Sequence, residues 1–338
     1  MSYMRDVQWP TGRRYHDEKE QEAMTMAACA AFVFPGQASQ KVGMGLSVYN
    51  DYQSSRMVFE EADATLGFPV SRLCFEGPAE ELTKTVNVQP ALVATSIACL
   101  AGAREVLASK LPTPAFLAGH SLGEYTALVA AEALSLADTL RLVRERGRLM
   151  YEAGIKASGS MMAVIAFDRG PLQEVCDEAG VEISNINAPG QLVISGAKDR
   201  LEQAAALAKE RGARKLIPLN VSGAFHSTLM DPVVEEFSHV LDNFDFRVPQ
   251  VPIISNVTGL PLINGTEFRN ELLAQLRRCI QWQASVEFMT SHDVTTYYEI
   301  GPGTVLSGLI KRISPDAQTI NISGVDDIVA LNEPASSA

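Results

Sequence analysis

The feature that most constrains this chain is a short stretch in its first half. The four apolar residues 115–118 run straight into Gly119-His120-Ser121-Leu122-Gly123, and a helix rich in Ala and Leu follows. A serine flanked at this spacing by glycines, entered from a buried strand and left through a helix, marks a turn so sharp that flanking side chains would clash. Such a turn lifts the serine hydroxyl out at the carboxyl edge of a parallel sheet. It also puts the Leu122 backbone N–H at a helix N-terminus, where a free donor and the helix dipole stabilise an oxyanion. The pattern predicts an α/β fold with a parallel-sheet core and names Ser121 as a nucleophile.

The rest of the chain agrees with that class. Residues 30–34 form a short apolar run stopped by Pro35-Gly36, as buried parallel strands are. Residues 61–66 and 79–82 are helical by composition, and Pro90 suits the first position of a helix reaching about Leu107. Between Gly159 and Val221 the order is strand 160–167, helix 171–179, strands 181–186 and 191–195, helix 199–211 and strand 214–221. This βαββαβ series is a ferredoxin-like unit, with Asn187-Ala188-Pro189-Gly190 as its central hairpin turn. The larger unit resumes with a helix from about Met230, a strand at 251–254, a helix at 267–278 and a strand at 295–300. At about 150 residues per domain, 338 residues accommodate two such units. The expected division is a flexible leader at 1–28, a hydrolase-like core at 29–158 and 222–325, an inserted small domain at 159–221 and a C-terminal tail at 326–338.

Charge narrows the partners. Lys and Arg total 28 against 40 Asp and Glu, a net charge of -12, and such a surface repels phosphate backbones and anionic lipid headgroups. Neither nucleic acid nor membrane is an expected partner. The longest strongly apolar, charge-free run, residues 91–103, is well short of the ~20 residues that span a bilayer. Asp6, Asp17, Glu18, Glu20 and Glu22 near the N-terminus match neither a secretory signal nor a transit peptide. Cys29, Cys74, Cys99, Cys176 and Cys279 are odd in number and lack metal-type spacing, so free thiols in a reducing cytoplasm, and no metal site, are expected.

A serine nucleophile needs a base, and histidine is the usual one because its ordinary pKa lies near ~6.5. There are five histidines. His16 is in the leader, His120 adjoins the serine and should point away, His239 falls on an amphipathic helix and His292 in a polar turn. His226 remains. It follows a strand and the small-residue stretch Ser222-Gly223-Ala224-Phe225, placing it on a loop at a strand's carboxyl end, where α/β active sites gather. No Asp or Glu stands out as a third member in the order serine, acid, histidine. Arg144, Arg146 and Arg148 follow one helix downstream of the serine. A solvated face accounts for most such runs, but an arginine before a glycine, as in Arg146-Gly147, can pack closely enough to reach inward and bind a carboxylate with two parallel hydrogen bonds.

Taken together the motifs resemble the malonyl-CoA:acyl carrier protein transacylase family, the acyltransferases of fatty acid and polyketide synthesis. Phe34-Pro35-Gly36-Gln37-Ala38-Ser39-Gln40 is similar to the family's FPGQGSQ, with Ala38 replacing a glycine, and residues 119–124 to its GHSLGE. Gln89-Pro90, Arg146-Gly147 and residues 185–196, 223–227 and 301–306 follow in the family's order, so that the resemblance runs from about Phe32 to Ile313. It implies a hydrolase-like α/β core with an inserted ferredoxin-like domain. It also implies Ser121 as nucleophile, His226 as base and then acid, and the backbone N–H groups of Gln37 and Leu122 as the oxyanion hole. Arg146 would hold the malonyl carboxylate, and a backbone carbonyl, matched to Gln275, would orient the histidine. Phe225 resembles the malonyl-selective form of its loop, Gln89 would line the pocket, and Asn185, Asn187 and Gln191 would either touch the pantetheine arm or only shape the hairpin.

The implied reaction is ping-pong. Ser121 takes malonyl from malonyl-CoA and gives it to the phosphopantetheine thiol of an acyl carrier protein, with a coenzyme A thioester as substrate and no tightly bound cofactor. Three other readings stay open: a serine esterase or thioesterase with water as acceptor, a discrete polyketide acyltransferase of another acyl preference, and a catalytically idle docking module. Acyl carrier proteins are generally acidic, so a chain this acidic would need a local basic patch to bind one. Arg277 with Arg278, Lys311 with Arg312, and Arg211 with Arg214 and Lys215 are the candidates.

Overall fold

Ten strands in two sheets arise from these patterns in the computed structural model, which describes residues 29–333. In chain order they are β1 (Cys29–Phe34), β2 (Phe116–Gly119), β3 (Gly159–Ile165), β4 (Glu182–Ala188), β5 (Gln191–Ala197), β6 (Lys215–Pro218), β7 (Ile253–Ile254), β8 (Pro261–Leu262), β9 (Val294–Ile300) and β10 (Gln318–Ile322). The larger sheet has the order β10-β9-β1-β2-β7-β8 and is parallel except for β8, which pairs antiparallel with β7. Its central strands are apolar on both faces because both faces are covered. Alternate residues of β1 serve different cores, as the two-residue strand period requires. Phe32 and Phe34 pack into the cluster containing the helices Thr85–Leu107 and Leu136–Ala157, while Ala31 and Val33 join Trp282, Val286, Leu306 and Ile310 on the other side.

The second sheet, β4-β5-β3-β6, is wholly antiparallel. Helices Arg169–Ala179 and Lys198–Glu210 pack on it around Val164, Leu172, Val175, Ile194 and Leu201, giving the expected ferredoxin-like inserted unit. Its hairpin turn is tighter than the four-residue cluster expected. Asn187 and Ala188 stay in β4, and only Pro189-Gly190 turns, with Gly190 at φ 67°. The unit is stitched to the core through Ile280, whose N–H donates to Ser184 O at 2.9 Å and whose carbonyl accepts from Ile186 N at 2.9 Å.

Several boundaries differ from expectation, each for an identifiable reason. The helix expected to open at Pro90 begins at Thr85. A proline inside a helix leaves the carbonyl four residues back without its donor. Here that carbonyl, Val86 O, accepts from Arg144 Nη1 at 3.1 Å, so the helix runs through the proline. By length and composition Thr85–Lys110 could cross a membrane, but 72% of its most apolar window is buried inside the protein, as befits a core helix. The strand expected at 251–254 pairs only at Ile253–Ile254. Pro252 there has no N–H to donate, though its carbonyl accepts from Leu117 N at 2.9 Å.

The expected tail from residue 326 is corrected as well. Val325–Asn332 is a helix that packs on Thr85–Leu107. Ile328 is fully buried, and Asp327 Oδ2 accepts from Ser323 N at 2.8 Å and Gly324 N at 3.2 Å at the helix start. The leader, with His16, and residues 334–338 lie outside the described residues.

Candidate active site

Ser121 stands where β2 passes into the helix Gly123–Ala130, with φ 51° in the left-handed region. The flanking glycines are sterically required. A Cβ on Gly119 would lie 1.9 Å from the Gly123 carbonyl carbon, and one on Gly123 would lie 2.0 Å from Phe34 O. Asn256, two residues past the end of β7, pins the strained turn. Its Oδ1 accepts from Ser121 N at 2.6 Å and its Nδ2 donates to Gly119 O at 2.7 Å. Sequence reasoning missed Asn256, whose only signal was its place just beyond an apolar strand, at the carboxyl edge of the sheet.

His226 is 5% exposed and also left-handed, with φ 58°. Its Nε2 lies 2.8 Å from Ser121 Oγ, and its Nδ1 lies 2.6 Å from the carbonyl oxygen of Gln275. A carbonyl can only accept, so Nδ1 carries the proton and Nε2 is free to accept from the serine hydroxyl. Burial, reinforced by the positive charge of Arg146, pushes the His226 pKa down to about 3. The imidazole is therefore a neutral base at ordinary pH. The loop carrying it is held by the inserted unit, since Ser195 Oγ of β5 donates to Phe225 O at 2.8 Å.

Among the described residues the other histidines do not compete. His120 points away from the serine as expected, its Nε2 2.8 Å from Asn187 Oδ1 and its ring 5.7 Å from that of Trp282. His239 lies on the helix Val234–Leu241, and His292 follows the helix Trp282–Ser291.

The three arginines separate cleanly. Arg144 serves Val86 O and Asn87 Oδ1 and lies over the Phe68 ring, while Arg148 pairs with Glu145, Glu152 and Glu236. Arg146 alone enters the site and is 1% exposed. Its Nη2 lies 3.2 Å from Ser121 Oγ and donates to Gln275 Oε1 at 2.9 Å, and its Nη1 donates to Gln89 Oε1 at 2.8 Å. Gly147 permits this approach: a Cβ there would stand 2.7 Å from Thr85 O. Two turns on, a Cβ on Gly154 would stand 2.0 Å from Ser222 O. The same helix face thus presses on the start of the long core helix and on the segment leading to His226.

Ser121, His226 and Arg146 open into a cavity of about 520 Å³ between the core and the inserted sheet. Gln37, Leu122 and Phe225 line it from the core side, and Asn185, Asn187 and Gln191 from β4 and β5. Gln89 is fully buried behind Arg146 rather than lining this cavity. Ala38, which replaces the motif glycine, has φ 84°, a conformation that favours glycine and accounts for the residue usual there. Among the described residues no group of three or more His, Cys, Asp or Glu could hold a metal ion.

Comparisons with known proteins bear on the family and the fold. The profile of the acyl transferase domain family matches residues 31–323. The chain is 46% identical over 303 residues to the malonyl CoA-acyl carrier protein transacylase of Bacillus subtilis, covering 88% of this chain and 94% of that protein. It is 42% identical over 312 residues to the Escherichia coli protein of the same name, covering 91% and 97%. An acyl carrier protein S-malonyltransferase structure from Vibrio cholerae superposes with TM-score 0.85 at 38% identity, covering 89% of this chain and 99% of that one. A malonyl-transacylase solved in complex with a type II polyketide synthase acyl-carrier protein gives TM-score 0.86 at 36% identity, covering 90% and 99%. The likeness spans both the core and the inserted unit, in sequence and in three dimensions, and the chain belongs to the acyl transferase domain family.

Proposed function

We propose that the protein transfers a malonyl group from malonyl-CoA to the phosphopantetheine thiol of an acyl carrier protein. The observation that carries this reading is Arg146, a buried guanidinium 3.2 Å from the nucleophile Oγ whose hydrogen-bond partners are all neutral. A buried cation bonded to no carboxylate, beside an acylation site, suits an acyl group that brings its own carboxylate. The names of the relatives, and the complex of one neighbour with a carrier protein, support the donor and the acceptor.

In the first half-reaction His226 Nε2 takes the proton of Ser121 Oγ as the oxygen attacks the thioester carbonyl. The Gln275 carbonyl accepts from Nδ1–H and steadies the imidazolium that forms. The tetrahedral oxyanion is held by the N–H groups of Gln37 and Leu122. Collapse breaks the C–S bond, and the departing coenzyme A thiol takes the proton from Nε2. In the second half-reaction the carrier thiol gives its proton to Nε2 and attacks the acyl-serine carbonyl through the same hole. The Ser121 oxygen leaves with that proton.

The chemistry runs on the chain's own residues and the thioester, with no tightly bound cofactor. Residues 159–221 would supply one wall of the cavity and residues 29–158 and 222–325, extended by the last helix, the catalytic groups. A cytoplasmic setting suits the five unpaired cysteines. Simple hydrolysis would leave Arg146 without a role, and the Ser121–His226 bond speaks against an idle docking module.

Intact-protein mass after exposure to malonyl-CoA, acetyl-CoA or methylmalonyl-CoA, and then to carrier protein, tests the proposal. Malonyl should load, persist in water and discharge to the carrier, and Ser121→Ala should not load at all. Rapid loss to water without carrier would instead identify a hydrolase.

A further inference from the structure

Behind Arg146 lies a pair of buried carboxyl groups that acyl transfer does not use. Glu124, in the first turn after Ser121, is fully buried. Glu271 is 6% exposed on the helix Gly265–Arg277, one turn before Gln275. Glu271 is well supplied with donors: Oε2 accepts from Ser255 Oγ at 2.7 Å and Oε1 from Val257 N at 3.0 Å. Glu124 is not. Its Oε2 accepts from Gln275 Nε2 at 2.5 Å, but its Oε1 is buried with no donor within hydrogen-bond distance among the described residues, and the Glu271 carboxyl is near enough to oppose its charge. A carboxylate with one dry, undonated oxygen and a second carboxylate beside it is doubly disfavoured. Glu271, Arg146 and Tyr125 are the titratable groups facing it, and burial first, then Glu271, hold the Glu124 carboxyl well above the usual carboxylate range.

Gln275 links this pair to the site. Its Nε2 is committed to Glu124 Oε2 and, at 3.0 Å, to Ser121 O, so its Oε1 must face Arg146. We infer that Glu124 is a neutral positioning residue: protonated on Oε1 toward Glu271, it accepts from Gln275 and so turns the amide oxygen onto Arg146, leaving the guanidinium charge free for the substrate carboxylate. Were Glu124 ionised, its charge would compete with that carboxylate for Arg146. The inference rests on the proposed role of Arg146 in holding malonyl.

Glu124→Gln and Glu124→Leu test it against the wild type. Glutamine has the shape of the protonated acid, since its oxygen can accept from Gln275 while its amide N–H donates to Glu271. The infrared difference spectrum between wild type and Glu124→Gln at neutral pH should show the C=O stretch of a buried protonated carboxyl. A carboxylate band in its place overturns the inference. In kinetics, Glu124→Gln should keep the wild-type malonyl-to-acetyl ratio of kcat/KM within about threefold. Glu124→Leu should lower that ratio about tenfold, mainly through the KM for malonyl-CoA. A Glu124→Gln protein as impaired as Glu124→Leu would mean that the negative charge is needed, which also overturns it. If the wild type shows no preference for malonyl over acetyl, the proposed function fails, while the infrared band still reports on Glu124.

Discussion

Ser121 and His226 both occupy left-handed backbone, which costs an L-residue roughly 1–2 kcal/mol each. Each is held there by side chains or carbonyls brought from afar, Asn256 for the serine and the Gln275–Leu276 carbonyls for the histidine. The pair is set in place before substrate arrives. A base whose pKa is pushed down to about 3 keeps its free lone pair across the physiological range. We therefore expect kcat/KM for serine acylation to be flat through the ordinary histidine pKa of ~6.5. An inflection there, in stopped-flow loading with malonyl-CoA, would contradict the buried-base picture. Stability follows the same group: between its depressed folded pKa and its ordinary unfolded one, the unfolded chain binds the proton that the folded chain refuses. Its contribution is present above about pH 6.5 and is lost as pH falls toward the folded value. Denaturant midpoints should fall less steeply with acid in His226→Asn than in the wild type.

On the proposed function, Arg146 would set selectivity at the same scale. A hydrogen bond to a charged group contributes ~1.5–3 kcal/mol, and the guanidinium offers malonyl a two-pronged one that acetyl cannot use. Arg146→Ala should lose malonyl transfer by about tenfold or more and gain relative activity with acetyl-CoA. Arg146→Lys should recover only part, because an ammonium keeps the charge but not the fork. The measurement is kcat/KM for both thioesters in all three proteins, and an unchanged ratio in Arg146→Ala would remove Arg146 from the acyl pocket.

At the scale of elements, the legible parts of the fold were those written locally. The strand, turn and helix around Ser121 and the βαββαβ order between Gly159 and Val221 depend on neighbours in sequence, and both orders stand as read, though the last strand of the unit covers only Lys215–Pro218. What escaped was settled by partners far along the chain. Asn256 reaches the serine across 135 positions, and Arg144 reaches Val86 across 58, so the Thr85–Leu107 helix could not have been extended through Pro90 on local grounds. The last helix was missed for a different reason: it has only eight residues, and one of them, Ile328, is buried. The Arg144 bond makes a testable separation between two neighbouring arginines. Arg144→Ala should leave Val86 O without a donor and lower unfolding free energy by about 1–3 kcal/mol in urea titration. Its malonyl-to-acetyl ratio should match the wild type, whereas Arg146→Ala changes that ratio; a shifted ratio in Arg144→Ala would show that the two side chains are coupled.

For the whole molecule the question is how a chain of net charge -12 receives an acidic carrier protein. Long-range repulsion must be overcome by a local basic patch near the cavity mouth. The structure separates the candidates. Arg277 is paired with Asp231 at 2.9 Å, and Arg211 is engaged by Glu174 and Glu178, so part of their charge is already neutralised. Lys311 and Arg312 are exposed, with no acidic partner among the described residues, in the last turn of the helix Val305–Ile313. Three other residues of that helix, Val305, Leu306 and Leu309, line the cavity. One helix thus joins the basic pair to the cavity that Ser121 lines, where on the proposed function the pantetheine thiol would arrive. The double charge reversal Lys311→Glu with Arg312→Glu should raise the KM for carrier protein severalfold and flatten its salt dependence, while loading from malonyl-CoA changes little. Arg214→Glu with Lys215→Glu, on the outer edge of the inserted sheet, is the control. An equal loss in both half-reactions for the first pair, or a carrier-specific loss only for the second, would place the docking surface away from the helix Val305–Ile313.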